Sequence, residues 1–109
     1  MINSLPTHKH SDDRRILIEW IKDFPVRTCK ALIIKKDCML GDHYHKNKDE
    51  IFYLLYGSGE VTLNGETEKL KEGDIVFAGR GIKHTFKLKK QSILLEAGTK
   101  PFDPKDDYK

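Results

Sequence analysis

The chain has 109 residues and a mass of 12.6 kDa, enough for one domain with a modest core and too little for two. It is 38% hydrophobic and 34% charged, and no apolar run approaches the roughly 20 residues of a bilayer span, which excludes a membrane-embedded helix. The net charge of +3 is carried by lysines that stand singly or in pairs with acids between them, so the sequence has no basic stripe for nucleic acid.

Residues 1–12 show no apolar periodicity and no signal-type apolar core; they are expected to be loosely held, in a cytoplasmic protein. His8 and His10 lie in this stretch, but Arg15 stands five residues after His10 where a metal motif would need glutamate. From there to residue 97 the chain reads as one all-β unit. Strands are expected over 14–21, 28–36, 51–56, 60–64, 66–70, 74–78, 84–88 and 92–96, rich in β-branched and aromatic residues and separated by turns such as "GSG", "KEGD" and "GRG". Asn64-Gly65 predicts a type I′ hairpin, because both residues tolerate positive φ. Many short strands without helical crossovers point to a sandwich or closed barrel. Residues 98–109 read as an extended tail that docks through Phe102 or Tyr108. Cys29 and Cys38 are expected to be free thiols.

The segment "GDHYHKNKDEIFYLLYG" carries the chemistry. His43 and His45 are two apart, so in an extended chain they share a face, and Glu50 follows five residues later. His84 opens "HTFKL", where Phe86 and Leu88 share its parity and the lysines alternate outward, so His84 points inside. Three imidazoles and a carboxylate suit a divalent first-row metal with an open position for water or substrate. Hydrogen-bonded packing is the plainer role for any single interior histidine. Against it, the combination of His-x-His, Glu50 and Gly57 at this spacing arises by chance in roughly one such sequence in a thousand. On β-strand parity Glu50, Phe52, Leu54 and Tyr56 share a face, which makes Tyr56 the candidate proton carrier. Arg80, in "GRG", reads as a solvated turn residue.

"HYHKNKDEIFYLLYG" followed by "GDIVFAGRGIKH" resembles the two motifs of the cupin superfamily over residues 37–88. His43, His45, Glu50 and Gly57 match the first motif, and Gly73, Gly81 and His84 the second. Asp37, Gly79 and Leu88 depart from the glycine, proline and asparagine of that pattern, and none of the three removes a ligand. "SDDRRILIEW" is similar to the opening of cupin-type enzymes of nucleotide-sugar and polysaccharide pathways, with Arg15 in place of their glycine. The resemblance implies a jelly-roll antiparallel β-barrel, one divalent transition metal (zinc, manganese, iron or nickel) held by His43, His45, Glu50 and His84, and a homodimer. The function expected from this is a metal-dependent isomerase or epimerase of a small polar substrate such as a sugar. An iron-dependent dioxygenase and a ligand-binding module without turnover are the alternatives, because fold does not decide activity.

Overall fold

The computed structural model describes residues 8–109, and among them it is a jelly roll of short antiparallel strands. In chain order these are β1 (His8–Ser11), β2 (Ile16–Glu19), β3 (Thr28–Ile33), β4 (Cys38–His43), β5 (Glu50–Tyr56), β6 (Ser58–Leu63), β7 (Glu66–Lys71), β8 (Ile75–Ala78), β9 (His84–Leu88) and β10 (Ile93–Gly98). One sheet has the order β3-β10-β5-β8 and the other β4-β9-β6-β7, while β1 and β2 form a separate hairpin. No helix among the described residues is long and apolar enough to cross a membrane.

Alternation along the strands builds the core. Phe52 and Leu54 of β5, Val76 of β8 and Leu94 of β10 turn inward against Val61, Leu70, Phe86 and Leu88 of the opposite sheet. Each such side chain taken out of water contributes on the order of 2 kcal/mol. β9 shows the pattern most cleanly, with His84, Phe86 and Leu88 buried and Lys87 exposed. At the β6–β7 turn Asn64 has φ 46° and Gly65 φ 86°, the two positive angles a type I′ hairpin needs.

The outer face of the first sheet is also covered. Ile51, Tyr53 and Ala97 point away from the main core and pack with Ile18, Trp20, Ile21 and Phe24. Trp20 stacks on Tyr53 at 5.7 Å between ring centroids. Strand β10 is apolar on both parities because it runs through the middle of the sheet between β3 and β5, whereas in segment 14–21 Ile18, Trp20 and Ile21 cover the sheet and Ile16 and Leu17 remain exposed. Residues 8–11, expected to be loose, pair with β2 in the register Lys9↔Ile18, whereas residues 1–7 lie outside the described part.

Candidate metal centre

Three strand ends and one loop converge at one end of the barrel. Leu40 of β4 packs toward the core, so strict alternation would send His43 outward. The β4–β9 register breaks between Gly41 and His43, and Asp42 is the extra residue. Gly41 (φ 93°) and Asp42 (φ 62°) both occupy positive-φ conformations, and the bulge swings His43 inward, directly opposite His84. A side chain at residue 41 would meet the His84 carbonyl oxygen at 2.8 Å, which is why a glycine stands there. His45 follows a single bridge between Tyr44 and Tyr108, and Glu50 is the first residue of β5.

The turn before His84 departs from the cupin motif at Gly79, and the backbone holds it without a proline. The Gly81 N–H donates to the His45 carbonyl at 2.7 Å, and the Arg80 N–H donates to Asp49 Oδ1 at 3.0 Å. The Arg80 guanidinium stays at the surface, 3.8 Å from Asp49.

His43, His45, Glu50 and His84 are brought together, with one potential donor atom from each lying within 4.8 Å of all the others. His45, Glu50 and His84 are buried, and His43 is half-buried. Glu50 Oε1 stands 3.2 Å from His45 Nε2 and 3.3 Å from His84 Nε2, yet it is buried without a hydrogen-bond partner. A bare buried carboxylate oxygen among imidazoles fits a bound cation. Ligand bonds of about 2.1 Å place donors at most about 4.2 Å apart, so the widest pair closes by about 0.6 Å or more around an ion.

Burial works against charge on Glu50, but the neighbouring His84 and Glu96 side chains and the Lys48 ammonium hold its carboxyl down at about 2. Burial, together with the hydrogen bond to Glu50 and its negative charge, pushes Glu96 up to about 7. His43 is lowered below 6.5 by burial and then by the neighbouring His84 and His45. The centre therefore favours an anionic carboxylate and a neutral His43, the protonation states that bind metal.

Several contributors escaped the sequence reading. Lys48 is 4% exposed with its Nζ 3.5 Å from Glu50 Oε2. Glu96, paired with Lys30 at 3.5 Å, shares the inward parity of Leu94, a signal available in "SILLE". Asp106 and Asp107 approach His45 and His43 from the tail, where nothing in "DPKDDYK" announces them. Tyr56, the candidate proton carrier, is not brought to the group. It stands six residues along β5, roughly 20 Å from Glu50 at about 3.3 Å per residue, and is 54% exposed, beyond a register shift at Ile93 that ends the buried run. Cys29 and Cys38 are free thiols. A cavity of about 900 Å³ lined by Cys38, Met39, Leu70, Leu88 and lysines opens at the opposite end of the β4–β9 ladder and includes none of the four grouped residues.

The chain is 40% identical over 68 residues to an uncharacterized protein of Aquifex aeolicus, covering 62% of this chain and 56% of that one. It is 37% identical over 46 residues to the oxalate-binding protein of Thermotoga maritima, covering 42% of this chain and 38% of the other. It thus spans little more than half, or less, of the curated relatives it matches. Among solved structures, it is similar to WlaRA, the TDP-fucose-3,4-ketoisomerase of Campylobacter jejuni, with a TM-score of 0.76 at 22% identity over 92% of this chain and 82% of that one. At that identity the likeness speaks for the fold. The family described as Cupin domain matches residues 32–96, more than half of the chain and inclusive of all four grouped side chains, and this protein belongs to it.

Proposed function

We propose that this cupin binds one divalent first-row metal, of the zinc, manganese, iron or nickel class, through His43, His45, Glu50 and His84, and that it acts as an isomerase or epimerase on a small polar substrate such as a sugar derivative. The observation that carries the metal reading is Glu50 Oε1, buried and without a hydrogen bond between two imidazole Nε2 atoms. When bound, such an ion supplies Lewis acidity that polarises a carbonyl and stabilises an enediolate. The chain's own residues prepare the place. Lys48 occupies Glu50 Oε2 and keeps the carboxylate anionic, while Phe52, 5.6 Å from the His84 ring, keeps water from the inner side.

The sugar reading is supported by the likeness of the fold to a sugar-nucleotide ketoisomerase. A second reading, binding of a small dicarboxylate without turnover, is favoured by the oxalate-binding relative. Elemental analysis of protein incubated with each of the four metals, followed by thermal-shift and product analysis with TDP-sugars and oxalate, tests both. About one metal per chain and conversion of a sugar supports the first, whereas a thermal shift with oxalate and no conversion supports the second. Protein that stays metal-free in all four incubations overturns the metal reading.

A further inference from the structure

The family match ends at residue 96, yet the chain beyond it touches two of the four grouped side chains. The Asp106 carbonyl oxygen lies 2.6 Å from His45 Nδ1, and Asp107 Oδ1 lies 3.1 Å from His43 Nδ1. Both contacts are on Nδ1, and in His45 the other ring nitrogen, Nε2, is the one that faces Glu50.

This piece of chain is firmly attached. The buried Asp106 carboxylate accepts from the backbone N–H groups of Lys46 at 2.8 Å and Asn47 at 3.1 Å. Tyr44 and Tyr108 exchange two backbone hydrogen bonds, of 2.9 and 3.1 Å, and their rings stack at 5.3 Å. The Lys46 ammonium lies 4.4 Å over the Tyr108 ring. Asp103 caps the short 3₁₀ turn Pro104–Asp106 by accepting from the Lys105 N–H at 2.9 Å. Asp107 Oδ1 is buried without a hydrogen-bond partner, and the imidazole of His43, at 3.1 Å, is the group it faces.

We infer that the docked tail supplies the outer shell of the metal centre through Asp106 and Asp107, positioning residues that aim His45 and His43. An imidazole whose Nδ1 meets an oxygen acceptor keeps its proton there, which fixes the tautomer and leaves the Nε2 lone pair for the ion. His84 has the same arrangement from within its own turn, through Nδ1 and the Ile82 carbonyl at 3.2 Å. All three rings therefore present Nε2, two of them on account of the tail. Because the tail and the ion act on the same rings, docking of one strengthens the other by an equal factor. The inference rests on the metal reading above.

The test uses the full-length chain as wild type, Asp107→Ala, Asp107→Asn and, as a control on an exposed tail residue, Lys105→Ala. Zinc affinity is measured by competition with a chromophoric chelator, and the visible bands of the cobalt-loaded protein report ligand geometry. Asp107→Ala should weaken zinc about 10- to 100-fold and shift the cobalt bands. Asp107→Asn, which still offers an oxygen acceptor, should recover part of the loss, and Lys105→Ala should match wild type. Reciprocally, zinc should slow trypsin cleavage after Lys105 in the wild type relative to cleavage after Lys9. Wild-type zinc affinity and cobalt bands in a folded Asp107→Ala would overturn the inference and leave the metal centre standing. If that variant does not fold, the wild-type digestion decides, and zinc that leaves the Lys105 cleavage rate unchanged overturns it. A wild type that takes no zinc or cobalt removes the metal reading and this inference together.

Discussion

His43 lies directly across the β4–β9 ladder from His84, and the one-residue bulge at Asp42 puts it there. A β-branched residue at position 41 would combine positive φ with contact on the His84 carbonyl oxygen. Gly41→Val should cost roughly 3 kcal/mol and weaken metal binding as His43 moves. Gly65→Ala, also at positive φ but with nothing within 4 Å, should cost about 1 kcal/mol and leave metal binding alone. Urea midpoints and metal content measure both. Equal costs at the two sites would remove the special role of the bulge.

Loss of an imidazole from the group should matter far more than loss of one elsewhere. His45→Ala should lower zinc affinity by more than about 100-fold, beyond the usual effect of an outer-shell change. His10→Ala removes a surface ring near Asp12 and should change nothing. Chelator competition on the two variants gives the comparison, and equal affinities would show that His45 is not a ligand.

Stability of the metal-loaded protein should fall on mild acidification. His43 has a lower pKa folded than its ordinary 6.5, so its contribution is full above about pH 6.5 and is lost as pH falls through the lower folded value. Protons compete with the ion for the other two imidazoles in the same direction. Melting temperature should therefore drop between about pH 7 and pH 5 more steeply than in a His43→Gln, His45→Gln, His84→Gln variant. Glu96 works oppositely in the metal-free protein. Its folded pKa is raised to about 7, so its contribution is full below 4.5 and lost as pH rises through about 7. Metal-free Glu96→Gln should gain on wild type above pH 7. Parallel melting curves for wild type and the triple variant would mean that the histidines do not hold the ion.

The homodimer draws on more than the apolar strands 14–21 and 92–96, of which Ile16 and Leu17 are exposed while Leu94 is covered within the chain. β3 is the open edge of its sheet, and Ile33, 69% exposed, is joined through Ile93 to the half-exposed Tyr56. A second copy is the expected cover for this strip. Sedimentation should give about twice 12.6 kDa, and Ile33→Lys should shift it toward one chain. A wild-type monomer at micromolar concentration would sink the proposal.

What was legible in the sequence follows from how each feature is encoded. Strands such as "HTFKL" write their inward face as period-two alternation, and Asn64-Gly65 writes its turn in the conformations those residues tolerate. His43, His45 and Glu50 were legible through their spacing, and His84 through the parity of "HTFKL". β4 leaves no strand signal because "CMLGDH" has neither β-branched residues nor alternation, and its bulge reverses parity halfway along. Extending parity without a break from Glu50 to Tyr56 misplaced the tyrosine for the related reason that strand register shifts near Ile93. Lys48 comes from a loop and Asp106 and Asp107 from the short 3₁₀ turn and the residue after it, where position is decided by distant contacts and leaves no local pattern.

The single tryptophan has a use that follows from where it packs. Trp20 rests on Tyr53, three residues along β5 from Glu50 and on the opposite side of the sheet. Its emission is governed by whether the N-terminal cover stays down, and the imidazoles on the far side do not touch it. A red shift in its fluorescence would report the cover lifting and exposing Trp20 to water, while an unchanged spectrum during metal removal would show a barrel that empties without opening its outer layer. The molecule thus carries an optical gauge of its architecture that is physically separated from its chemistry.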